Sequence, residues 1–141
     1  MIDPYELARF LAAQERVYAD VLDELRRGRK TGHWIWFIFP QAAGLGSSGM
    51  SRRYSISSMN EARAYLAHPV LGQRLRECVG LVMDIPDSTA EQVFGSLDAM
   101  KLRSCLTLFD LAGGDDLFRL ALEQYYRGER DEVTVRMLAQ T

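Results

Sequence analysis

Residues 34–39, Trp-Ile-Trp-Phe-Ile-Phe, are apolar on every face. A run with no polar side has nowhere to lie but inside, so the fold has to be built around it. Six residues are too few to separate a strand from a buried helical turn by periodicity. Pro40 ends the run in either case, because it has no backbone N–H to continue a ladder or a helix. Residues 41–57 follow with Gly44, Gly46, Gly49 and five serines, which predicts a loop of unusual length for a compact domain. Both tryptophans therefore stand beside the segment with the least local structure, an arrangement that suits a pocket floor beside an adjustable rim.

The rest of the chain reads as helix. Asp3-Pro4 supplies an N-cap and a first helical position, and apolar residues at Tyr5, Leu7, Ala8, Leu11, Val17, Val21, Leu22 and Leu25 predict one long amphipathic helix ending near Gly28. Arg26, Arg27, Arg29 and Lys30 suit its C-terminus, where positive charge offsets the helix dipole. Ser58 with Glu61 forms a capping-box pattern before a short helix, and Ser88 with Glu91 forms another. His68 caps the helix that Pro69 opens. Ser96 opens a further helix that Gly113-Gly114 stops, with Leu97, Met100, Leu102, Cys105, Leu106, Leu108 and Phe109 as a wide buried face. A helix then runs up to Gly128, and a last one begins at Asp131. The expectation is a mainly α protein: one compact domain over residues 1–141, with about six to seven helices and one long Gly/Ser-rich loop.

Composition narrows the function classes. Seventeen basic and nineteen acidic side chains leave a net charge of −2, which gives no ground for expecting nucleic acid as a partner. Cys78 and Cys105 lie in apolar helical patterns and read as buried free thiols; no CxxC or Cys/His cluster predicts a metal site. The first residues lack the basic-then-apolar pattern of a signal peptide, and no run of 18 apolar residues could span a membrane. A cytoplasmic location without membrane association is the expectation, and no motif names a cofactor.

The run "GHWIWFIFPQ…GLGSS…YSISSMNEARAYLAHPVLGQRL", with "GSLDAMKLRSCLTLF" further on, resembles the bacterial and fungal family DUF1810, which has the Rv1873-like fold. The likeness covers nearly the whole chain. It implies a mainly helical single domain and brings no assigned activity with it. Some members carry the label "calpastatin", yet calpastatin resembles disordered, repeated, polar sequence, whereas this chain is 48% hydrophobic and unrepeated. In order of elements alone, the chain is also similar to the YbiA-like (NADAR) family, which acts on nucleotide N-glycosides and ADP-ribose derivatives.

The side chains that could carry chemistry gather around the aromatic block 33–41 and the loop 42–57. Gly44, Gly46, Ser48, Ser51, Arg52 and Arg53 offer backbone amides, hydroxyls and guanidinium forks, the groups that bind phosphate or carboxylate. Trp36 or Tyr54 could stack on a flat ring, Gln41 would place an amide at the mouth, and His33 is the candidate base. Asp98 and Lys101, three apart on one helix, could form an ion pair or reach a ligand. The loop has no GK[ST] and its G-L-G lacks a third glycine, so neither a P-loop nor a dinucleotide fingerprint is present. The first expectation is a pocket between block 33–41 and loop 42–57 that binds or processes a nucleotide-like or phosphate-bearing metabolite. The second is a non-enzymatic helical module that binds a protein partner.

Overall fold

A computed structural model of the chain describes residues 2–113 and 115–140; Gly114, half of the expected Gly113-Gly114 stop, lies outside them. Ten helices are present among these residues, and no strands, only a single parallel bridge between Ala42 and Ile56. They are α1 (Ala8–Glu15), α2 (Tyr18–Arg27), α3 (Ile35–Ile38), α4 (Gly49–Arg53) and α5 (Met59–Ala67). The chain continues with α6 (Leu71–Met83), α7 (Ala90–Phe94), α8 (Ser96–Ala112), α9 (Leu117–Tyr126) and α10 (Glu132–Leu138). The mainly α expectation holds, with more helices than expected.

Three of the additional elements have simple causes. The long N-terminal helix is broken: Val17 leaves helical geometry (φ −129°, ψ −5°), since α1 packs on α3 whereas α2 packs on α6. One straight rod could not serve both neighbours. The aromatic block resolves as the short helix α3, fully enclosed except for Trp36. The Gly/Ser segment holds α4, whose N-cap Ser48 accepts a hydrogen bond from the Ser51 amide at 3.1 Å.

The caps shift by single residues. Thr89 with Gln92, rather than Ser88 with Glu91, makes the capping box of α7. Gly95, not Ser96, is the N-cap of α8. Ser58 accepts from the Glu61 amide as expected, but the Glu61 carboxylate turns instead to the Ser57 amide (2.9 Å), the Ser57 hydroxyl (2.6 Å) and Arg9 (3.0 Å). Arg9 also donates to the carbonyls of Tyr5, Glu6, Arg53 and Ser55. A buried carboxylate and one guanidinium thus tie the N-terminal turn, the end of α4 and the start of α5 into one corner. His68 caps as predicted, its Nδ1 accepting from the amides of Val70 and Leu71.

The central element is α8, which packs against α3, α5, α7, α9 and α10. Its buried residues almost encircle the axis, and the Ser104 and Thr107 hydroxyls are satisfied by carbonyls one turn back. Aromatic rings carry the core through the molecule: Phe10 meets Tyr65 edge-on at 5.1 Å, Tyr65 meets Phe109 at 5.4 Å, and Phe109 meets Phe118 at 5.8 Å. Leu97 and Met100 depart from the expected buried face of α8, being 74% and 67% exposed. They sit on its first turns, on the face opposite the buried Ala99 and Leu102.

Cys78 and Cys105 are free and buried. Burial pushes the Cys78 thiol up to about 12, against a smaller opposing effect of its contact with Tyr18, and burial also raises Cys105 well above the ordinary thiol range. Since the thiolate is the reactive form, neither thiol should react with a disulfide reagent at pH 8 in the native protein. Both should react once guanidinium unfolds it, a difference read directly from the absorbance of the released thiolate.

Candidate functional site

The aromatic block is positioned from below by one carboxylate. Glu24, on α2 and 6% exposed, accepts from the amides of Thr31 (2.6 Å) and Gly32 (2.8 Å) and from the Trp34 indole N–H (3.0 Å). Gly32 has to be glycine, because a Cβ there would stand 2.7 Å from the Trp34 ring. Lys30, assigned by sequence to the helix dipole, turns inward: its side chain is 7% exposed, it lies over the Trp34 ring at 4.9 Å, and it pairs with Asp98 at 2.7 Å. That pair fastens the turn before α3 to the start of α8.

Asp98 also meets Lys101, at 3.3 Å. The buried Lys30 is therefore the closer partner, and Lys101 is held by the longer arm of the bridge. The Lys101 ammonium lies 5.7 Å from the centre of the Trp36 ring. Trp36 Nε1 is buried and makes no hydrogen bond with any described residue. An unmade indole hydrogen bond costs about 1–3 kcal/mol, so this group is the least settled polar atom of the core.

A cleft of about 350 Å³ opens at Lys101, within the size range of small-molecule sites. Gln41, Gly44, Leu45 and Gly46 form one wall; Leu97, Met100, Lys101 and Ser104 of α8 form the other; Asp131 and Val133 close the end. The first wall is fixed at its root, where Ile56 exchanges backbone hydrogen bonds with Gln41 (2.9 Å) and Ala43 (2.8 Å). Gly44 takes a left-handed φ of +95° beneath Met137, whose methyl would lie 2.8 Å from any Cβ. Gly46 is just as tightly packed, against the Ser51 side chain.

The structure brings Gln41, Gly44, Gly46 and Lys101 together in this cleft, with Trp36 beneath Lys101 and Asp98 beside it, and separates the other expected residues. Arg52 and Arg53 line a different cleft of about 550 Å³, shared with Tyr5, Arg9 and Glu61. Tyr54 is not a stacking platform: it is 8% exposed and packs on Phe10 (5.8 Å) and Phe37 (5.3 Å) within the core. Ser48 and Ser51 use their hydroxyls on each other (3.0 Å) and on the cap of α4. His33 is exposed, has no hydrogen-bond or ion-pair partner among the described residues to orient it, and lines none of these clefts, so it lacks the setting of a general base. Among the described residues no group of three or more His, Cys, Asp or Glu could hold a metal ion, and no helix is long and apolar enough to cross a membrane.

Residues that sequence reasoning missed are Glu24, Lys30, Asp131 and Val133, together with the outward roles of Leu97, Met100 and Ser104. One signal was available. Leu97, Met100, Lys101 and Ser104 recur at i, i+3, i+4 and i+7 on one helix face, and a core stripe seldom includes a lysine.

The model of the family described as "Protein of unknown function (DUF1810)" matches residues 4–138. The chain belongs to the DUF1810 family. It is 51% identical to the conserved hypothetical protein Rv1873 from Mycobacterium tuberculosis, whose crystal structure it matches with a TM-score of 0.97 over 99% of this chain and 100% of that one. No curated protein matches the chain. The family thus confirms the fold and carries no assigned chemistry.

Burial by itself raises the Glu24 carboxyl, and the hydrogen bonds from Gly32, Thr31 and Trp34 more than reverse this, leaving it below its ordinary value. A carboxyl lowered by folding stabilises the fold above its unfolded pKa, and that contribution disappears as the pH falls through the lowered value. Glu24→Gln should therefore lower the unfolding free energy at pH 7 by about 1–3 kcal/mol, as measured in urea. The gap between variant and wild type should narrow as the pH falls below about 4.

Proposed function

We propose that the protein binds a small organic anion, phosphate- or carboxylate-bearing, in the cleft between residues 41–46 and the first turns of α8. The observation that carries this reading is the pairing of Lys101 with an apolar lining. Lys101 stands at the cleft, its acidic neighbour Asp98 already neutralised by the buried Lys30, and exposed apolar surface from Leu97 and Met100 lies beside it. A concave, largely apolar site with a few convergent polar groups is the usual form of a metabolite pocket. Gln41 adds a side-chain amide with no partner among the described residues, which can donate to or accept from a ligand. A flat or aliphatic body would lie on Met100 and Val133 while the anionic end meets Lys101.

A nucleotide-like ligand remains within this class, held by one cation rather than by the guanidinium cluster of the sequence expectation. The reading is one of binding; with His33 unoriented, no side chain of the cleft is proposed as a general base. A second reading, a protein-interaction module, draws on the same exposure of Leu97, Met100 and Val133, since contiguous exposed apolar side chains also mark partner surfaces.

Thermal denaturation with nucleotides, ADP-ribose, NAD, simple phosphates and aliphatic or aryl carboxylates separates the two readings. A true ligand at 100 times its Kd should stabilise the protein by about 2.7 kcal/mol. The shift should disappear in Lys101→Met and persist in Arg52→Ala/Arg53→Ala, whose side chains line the other cleft. Loss in the arginine variant alone would put the ligand in that other cleft. No shift with any compound would favour the interaction module.

A further inference from the structure

Resting on the cleft proposed above, we infer that its occupant is zwitterionic: a small molecule with an apolar body, one carboxylate or phosphate end, and one ammonium end. The cleft lining contains two ionisable side chains of opposite sign, Lys101 and Asp131. Sequence patterning leaves Asp131 as a helix cap, and it is one: its Oδ2 accepts from the Thr134 amide (3.0 Å) and the Thr134 hydroxyl (2.5 Å) at the start of α10. Its backbone is fixed as well, since its amide donates to the Thr107 hydroxyl of α8 at 2.9 Å. Oδ1 makes no hydrogen bond with any described residue. Asp131 therefore has one carboxylate oxygen with no partner among the described residues, on a residue whose side chain is held by α10 and whose backbone is held by α8, in the lining of a cleft whose other charged group is an ammonium.

The two charges constrain the ligand in different ways. An anion with no positive group can pair with Lys101, but it leaves the Asp131 carboxylate facing an apolar body, with its water displaced and no partner gained. A di- or triphosphate additionally brings several negative charges toward a fixed carboxylate, an arrangement that opposes binding. A molecule with an ammonium at its far end satisfies both groups. Because the cap already orients Asp131, ordering that side chain adds little to the cost of association. Leu45, Leu97, Met100 and Val133 lie along the same lining and suit an uncharged hydrocarbon stretch. Asp98 does not enter this balance, being spent on Lys30 and Lys101.

The test compares ligands that differ only in a terminal ammonium: valerate with 5-aminovalerate, hexanoate with 6-aminohexanoate, and propyl phosphate with 3-aminopropyl phosphate. Affinity is measured by calorimetry on the full chain. In at least one pair the aminated member should bind about tenfold tighter, as expected for one added charge-assisted hydrogen bond. Asp131→Asn keeps a good N-cap and should leave the melting temperature nearly unchanged while erasing that ratio; Asp131→Ser, another capping residue, should do the same. Lys101→Met should weaken both members of the pair. Equal binding within every pair, or a ratio that survives Asp131→Asn, would overturn the zwitterion while leaving the anion cleft standing. Anion binding unaffected by Lys101→Met, or no binding by any compound, would overturn the cleft itself.

Discussion

The geometry of the candidate site rests on a carboxylate buried where a small protein would ordinarily avoid one. Glu24 is tolerated because three N–H groups converge on it, two from the backbone at 31–32 and one from Trp34. Without it, the turn between α2 and α3 would carry donors with no acceptor, and the indole would enter the core with its N–H unpaired. Lys30 completes the arrangement from the same turn by reaching Asp98 on α8. Two charges of opposite sign therefore position an aromatic block that has no polar groups of its own, apart from its indoles, with which to fix its orientation. The side of α3 carrying Trp36 is directed at Lys101 as a result.

The cleft follows from how α8 is covered. That helix packs against five others, yet Leu97 and Met100 on its first turns stay exposed, and there the 41–46 segment lines a cleft rather than packing down. That segment is not slack. Its root is fixed by backbone hydrogen bonds to Ile56, and Gly44 is pressed beneath Met137. The walls are thus set before any ligand arrives, which keeps the entropic cost of binding low. The arginines fall elsewhere for a related reason: α4 turns Arg52 and Arg53 toward the N-terminal corner that Arg9 and Glu61 hold together.

Much of the fold was legible because helix periodicity and cap chemistry are local. The Ser58 and His68 caps, the stop at Gly113 and the start at Asp131 all follow from a few neighbouring residues. Asp3 is not the expected N-cap with Pro4 as first helical residue: α1 begins only at Ala8 with Leu7 as its N-cap, and the Asp3 carboxylate reaches forward across a turn to the amides of Leu7 and Ala8. The break at Val17 was not legible, since it answers to different packing partners on either side and no Gly or Pro marks it. The site was legible only in part. Gln41, Gly44, Gly46 and Lys101 were found because they flank the aromatic block or share a helix with a charge partner. Tyr54 looked polar from its sequence neighbours, yet its ring is enclosed by Phe10 and Phe37 from distant segments. Leu97 and Met100 looked like core because apolar periodicity records which face is hydrophobic, not whether anything lies against it. Lys30 and Asp98 are 68 positions apart, a pairing that only the folded chain reveals.

Ligand entry between residues 41–46 and the start of α8 would be seen residue by residue in a backbone amide NMR titration. The protein, labelled with nitrogen-15, would be titrated with small apolar carboxylates and phosphates, with and without an ammonium group. Saturable shifts clustered at Gln41, Leu45, Met100, Lys101 and Val133 are expected, together with movement of the Trp36 indole N–H, which has no hydrogen-bond partner among the described residues. Shifts confined to Arg9, Arg52 and Arg53, or no saturable shift at all, would contradict it.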